Sequence, residues 1–132
     1  MIDDKLRISF SMKRRRVLIY RSTLRSIGVP QNIRFLLNTK RKCIAVQGCE
    51  AIDRDSFKVP DIDSGSKDQY EITSITFINM IYKLAGWNLD KTYRISGTAY
   101  PSNRLVEFFV GDAVEIQEDE FVDPDVEPDN KE

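Results

Sequence analysis

Apolar and polar residues alternate at the start of the chain, where Leu6, Ile8, Phe10 and Met12 are interleaved with Lys5, Arg7, Ser9, Ser11 and Lys13. That period of two predicts a β-strand with one face toward water. Arg14, Arg15 and Arg16 interrupt it before the apolar run Val17, Leu18, Ile19 and Tyr20, which predicts a second, more buried strand joined to the first by a basic turn. Ser22 or Thr23 can cap a helical turn through Leu24 and Ile27, and Gly28 suits the left-handed position that ends it. Pro30 reads as restarting the helix, because Ile33, Leu36 and Leu37 recur at helical spacing. A polar turn at Asn38, Thr39, Lys40 and Arg41 then leads to a strand over residues 42–47.

Phe57 and Val59, bounded by Pro60, predict a short extended piece, and the polar residues 61–68 predict a loop. Tyr70, Glu71 and Ile72 read as a strand. Thr73 or Ser74 can cap a helix whose Phe77, Ile78, Ile81, Leu84 and Ala85 make a wide apolar stripe, with Gly86 as its stop. Residues 92–96 and 105–110 read as strands around a loop holding Gly97 and Pro101. Together these elements predict a small α+β fold with a mainly antiparallel, partly closed sheet and two short helical segments. Both halves run strand, helix, strand, which suggests an internal duplication. After Ile116 the composition turns acidic, with Phe121, Val122 and Val126 as the only anchors. The expected division is a single domain over residues 1–116 and a disordered acidic tail over residues 117–132.

Composition narrows the chemistry. With 132 residues, 41% of them hydrophobic, the chain can fill one ordinary core. There is no histidine, which removes the usual general base and the commonest metal ligand. Gly-rich phosphate loops and nucleophile elbows are absent, and Asp53, Asp55, Asp61 and Asp63 lack the glycine and distal Glu of a calcium loop. The chain reads as a non-enzyme without metal or other cofactor. Cys43 and Cys49 lie on one expected strand about 20 Å apart, whereas a disulfide needs Cα atoms within roughly 7 Å. Two reduced thiols, no long apolar run and no charged secretory start predict a cytoplasmic protein without a membrane span.

The net charge of −1 conceals a segregation: +9 over residues 1–50, −1 over residues 51–110 and −9 over residues 111–132. Lys13, Arg14, Arg15, Arg16, Arg21, Arg25, Arg34, Lys40, Arg41 and Lys42 crowd into 30 residues. Brought to one face, they would make a positive field suited to phosphate, and the arginine forks would fit phosphate or a guanine edge. The expected function is a nucleic-acid-binding regulator gripping a duplex by its phosphates, with Arg25 and Arg34 nearest to base edges. The same charges also suit another anionic ligand, an acidic protein, or plain solvation. The acidic residues Glu115, Glu118, Asp119, Glu120, Asp123, Asp125, Glu127 and Asp129 read as a tether that masks the basic face, a mimic of nucleic acid, or a solubilising tail. Trp87, Tyr93, Tyr100, Phe108 and Phe109 offer either base stacking or core, with Tyr82, Trp87 and Tyr100 expected at the surface.

The stretch Gly28, Val29, Pro30, Gln31, Asn32, Ile33, Arg34, Phe35, Leu36 and Leu37, with the strand that follows, resembles the Ile/Val-Pro-x-x-Ile/Leu-Arg-x-x-Leu core of AbrB, SpoVT and MazE type swapped-hairpin DNA-binding domains. Ile72, the helix to Gly86 and Trp87, Asp90 and the strand through Tyr93 and Ile95 are similar to the same pattern. The resemblance implies two β-α-β-β halves of swapped-hairpin type, DNA binding and transcription regulation. A homodimer is typical of that family, although a duplicated chain can complete the sheet alone. Residues 20–46 with residues 57–59 also resemble small uncharacterised proteins of Gram-positive bacteria and their phages. That likeness implies the alternative of a mobile-element binding module that inhibits a host defence protein or sequesters an anionic ligand.

Overall fold

Nine strands, two α-helices and three short 3-10 turns follow one another along the residues that the computed structural model describes, 5–50, 54–62, 69–124 and 126. The alternating start forms β1 (Arg7–Ser11), and β2 (Arg16–Ile19) returns beside it with Ile8 opposite Ile19 and Phe10 opposite Val17. Their apolar rows face the core, as the period of two predicts. α1 (Arg21–Ser26) follows at once. Ser22 and Thr23, expected to cap it, lie inside it instead and tie it to β1 and the residues before it: Ser22 donates to the Lys5 carbonyl at 2.8 Å, and Thr23 accepts the Arg7 N–H at 2.9 Å.

The second helical segment expected from Pro30 is a strand, β3 (Asn32–Asn38), paired along its whole length with β4 (Cys43–Cys49). Gly28 (φ 82°) and Val29 (φ 45°) are both left-handed and turn the chain out of α1. Ile33, Phe35 and Leu37 then alternate into the core while Leu36 points out, 39% exposed. A run of consecutive apolar residues such as Phe35, Leu36 and Leu37 fits either period, and pairing on both edges, with β4 and with β5 (Phe57–Lys58), decides it.

β6 (Tyr70–Ile72) leads to α2 (Ile75–Ala85), which Ser74 caps by accepting the Phe77 N–H and Gly86 ends in the left-handed region at φ 68°. β7 (Thr92–Tyr100), β8 (Leu105–Phe109) and β9 (Val114–Ile116) complete the sheet, whose order is β5-β3-β4-β8-β7-β1-β2-β6, with β9 on β7. Every pairing is antiparallel. Gly97, expected in a loop, lies inside β7, at the point where the strand passes from β9 to β8 on the same edge. A Cβ there would lie 2.6 Å from the Phe108 ring, so the close approach needs glycine. The two terminal strands meet where the Tyr70 hydroxyl donates to the Lys58 carbonyl at 2.8 Å. The result is a small mixed α/β fold around a nearly closed antiparallel sheet.

The core fills the inside of that sheet. α2 contributes Phe77, Ile78, Ile81 and Tyr82, and Phe77 stacks on Phe35 with ring centres 4.3 Å apart. Tyr82, expected at the surface, is 1% exposed because its hydroxyl joins three segments. It accepts the Met12 N–H at 3.1 Å, donates to the Lys91 carbonyl at 2.6 Å and lies 3.2 Å from the Phe10 carbonyl. Burial pushes this phenol up to about 12.

Residues 117–124, placed by composition outside the folded unit, pack against it. Glu118–Glu120 form a 3-10 turn, and Phe121, 1% exposed, closes a small apolar cluster with Leu18 and Tyr20 on the outer face of β2. The physical reason is one buried aromatic flanked by carboxylates that find partners. The remainder of the expected tail, residues 125 and 127–132, and most of the expected loop at residues 61–68 lie outside the described residues. Among the described residues no helix is long and apolar enough to cross a membrane. Cys43 and Cys49 stand at opposite ends of β4 and are not bridged to each other.

Candidate nucleic-acid interface

Strand direction places the basic turns. β1 runs toward its turn, with Ser11 opposite Thr92 at the start of β7. β8 is antiparallel to β7 and therefore ends toward that same side, and β4 is antiparallel to β8 and begins there, with Cys43 opposite Phe109. The β1–β2 turn, with Lys13, Arg14 and Arg15, and the β3–β4 turn, with Lys40, Arg41 and Lys42, thus point toward the same side, the β3–β4 turn set back because Phe109 and Cys43 fall level with Ser96 of β7 and not with Thr92. Arg15 and Lys42 each take a left-handed backbone, φ 57° and 53°, which these tight turns require.

The ten expected residues do not share this surface. Lys13, Arg15, Lys40 and Lys42 are exposed and, among the described residues, hold no ion pair. Arg14 is bound to Glu118 at 2.6 Å and lies over the Phe121 ring. Arg16 turns toward β6, donating to Thr73 at 2.7 Å and approaching Glu71 at 3.7 Å. Arg41 lies over the Phe109 ring and 3.6 Å from Glu107. Arg34 stands on the outer face of β3, its Nε and one terminal nitrogen on the Gln47 amide oxygen at 3.2 and 3.0 Å. Arg21 and Arg25 sit on α1, at the far end of β2. Arg21 is 6% exposed and donates to the Ile62 carbonyl, so it does not join the turns.

The acidic segment sits against the β1–β2 turn. Glu118 accepts from Thr92 at 2.7 Å, Arg14 at 2.6 Å and Ser11 at 3.2 Å. These bonds, Thr92 foremost, hold its carboxyl below the usual carboxylate range against the opposing effect of burial. Asp123 accepts the Arg21 backbone N–H at 2.8 Å, and its own N–H donates to Gln69 at 2.6 Å. Lys91 reaches Glu115 at 3.1 Å. Residues 117–123 therefore form a strap over the outer face of β1 and β2. Phe121 carried a sequence signal, a lone aromatic in an acidic run. The roles of Ser11 and Thr92 were hidden, because their partners lie far along the chain.

The aromatic candidates separate by face. Phe108 is core at 0% exposure, and Trp87 stacks on Tyr93 at 4.3 Å and packs on Phe10. Tyr100 is 45% exposed, and Phe109 stands half-buried on the outer face. What the fold and site define is a small, nearly closed antiparallel sheet with two basic turns pointing to one side and an acidic strap beside one of them. No protein-family model, curated protein or solved structure matches the chain.

Proposed function

We propose that the protein is a nucleic-acid-binding regulatory protein whose basic turns contact phosphate and whose acidic strap competes for one of them. The observation that carries this reading is that both basic turns point toward the same side of the sheet, with Lys13, Arg15, Lys40 and Lys42 free of ion pairs among the described residues. Ammonium and guanidinium groups on short exposed turns suit phosphate oxygens spaced along a backbone. The strap competes because Glu118 occupies the Arg14 fork that a phosphate would take. Its grip there is partly exposed and worth less than about 1 kcal/mol, within reach of a polyanion.

Fluorescence anisotropy of labelled DNA, single-stranded and duplex, against the full chain across a salt series tests this. Replacing Arg15, Lys40 and Lys42 by Ala is expected to weaken binding and to reduce the salt slope by roughly one for each phosphate that is no longer neutralised. Glu118→Gln, which keeps the Phe121 anchor, is expected to tighten binding. Absence of binding to any nucleic acid at low salt would sink the proposal. The same exposed cations suit an acidic protein surface, and a salt-sensitive complex with such a protein alone would favour the inhibitor reading.

We also propose that the chain is two β-α-β-β units of swapped-hairpin type, β2–α1–β3–β4 and β6–α2–β7–β8. Their helix ends support it: Gly28 and Gly86 donate to Arg25 and Lys83, and the next residues, Val29 and Trp87, donate to Leu24 and Tyr82 at 2.9 and 3.0 Å. The β2–β6 and β4–β8 pairings join the units within one chain.

A further inference from the structure

The outer face of the sheet is treated differently in its two halves. Over β1 and β2 the strap seals it, leaving Ser9, Ser11 and Leu18 at 0% exposure and Thr92 at 2%. Over β3, β4, β8 and β7 it is open, and the registers give the rows that stand there. One row is Arg34, Gln47, Leu105 and Tyr100; the next is Leu36, Ala45, Glu107 and Thr98; a third holds Asn38, Cys43 and Phe109 beside the β3–β4 turn.

We infer that this open face is a stacking platform for single-stranded nucleic acid. The inference rests on the nucleic-acid reading and names its substrate class. Tyr100, 45% exposed, offers a ring at one end of the face. Arg41, its side chain 59% exposed and its guanidinium 5.3 Å above the Phe109 ring, offers a second flat, cationic surface at the other. Phe109 and the Tyr100 row are four residues apart along the strands, about 13 Å. The row between them holds Leu36, Ala45, Glu107 and Thr98, and Leu105 stands beside Tyr100 in its own row. Arg34 spends two of its five donors on Gln47, which fixes its plane and leaves the others for base edges or phosphate.

Charge selects the occupant. Arg34 and Arg41 stand on the face and Lys40 and Lys42 at its head, against the single carboxylate in these rows, Glu107, which Arg41 already approaches. Rings with cations and almost no acid suit a strand carrying both π-faces and phosphates. Paired bases hide their faces in the stack, so the platform takes unpaired ones. The strand would run from the β3–β4 turn toward Tyr100.

The test is anisotropy with labelled oligothymidylate, oligouridylate and a duplex of equal length, using the full chain. Single strands should bind at least severalfold more tightly than the duplex. Tyr100→Ala, at an exposed position, should cost single-strand binding roughly tenfold while leaving duplex binding unchanged. Tyr100→Trp should keep the affinity and show fluorescence quenching on binding. Lys40→Ala with Lys42→Ala should weaken both substrates. If the duplex binds as well as the single strands and Tyr100→Ala changes neither, the platform is overturned and the basic-turn reading stands. If no nucleic acid binds, both fall.

Discussion

Glu118 shows how much one side chain can hold. Its carboxylate joins β1, the basic turn and the first residue of β7 through Ser11, Arg14 and Thr92. Because its folded-state value lies below the usual 4.5, the charged form is the one that stabilises the native chain. That contribution is complete above the unfolded value, and it is lost as pH falls through the lowered folded one. The difference in thermal midpoint between the native chain and Glu118→Gln is therefore expected to be constant near neutral pH and to shrink below about pH 4.5. Thermal melts of the two proteins across that range check it, and a difference that grows on acidification would contradict the assigned bonds. At this scale the sequence was informative about residue types and silent about partners. Arg14 was legible as a cation, but its pairing with Glu118 spans 104 positions of chain.

At the scale of elements, β7 carries the most. It pairs with β1 along one edge and with β9 and then β8 along the other, so the sheet closes only if its middle lets the Phe108 ring come close. Gly97→Ala would place a methyl group 2.6 Å from that ring and 2.7 Å from the Glu107 carbonyl oxygen. A cost of about 2 kcal/mol is expected, in the range of an overpacked core, and urea denaturation measures it. Most elements were readable where the pattern had one clean period or a clear stop: β1 from its alternation, and α2 from its stripe between Ser74 and Gly86. Three were not, and for the same reason. The continuous apolar run in β3, the glycine in β7 and the three residues of β9 are ambiguous locally, and the neighbouring strands settle them.

For the whole molecule, the strap turns a sheet with a bare apolar outer patch into one with a sealed half and an open half. Phe121→Ala would leave Leu18 and Tyr20 uncovered, and a loss of about 3 kcal/mol is expected from chemical denaturation. Trp87 packs in the separate main cluster, so its fluorescence in native buffer should stay as it is. A fluorescence shift in this variant would mean that the two clusters are one cooperative unit. Removing the segment would expose Leu18 and Tyr20 as well as free Arg14, whereas Glu118→Gln loosens Arg14 and keeps the Phe121 anchor.

The sequence by itself determined the antiparallel alternation, the helix stops at Gly28 and Gly86, the absence of histidine chemistry and the opposite charges of the two ends, because each is a property of residues close together in the chain. Only the tertiary structure decided that residues 32–38 pair as a strand, that Arg21 is buried while Lys40 and Lys42 are exposed, and that Phe121 anchors an acidic strap. Those outcomes depend on contacts between distant segments, where strand pairing and burial outweigh the local preferences that a sequence pattern records.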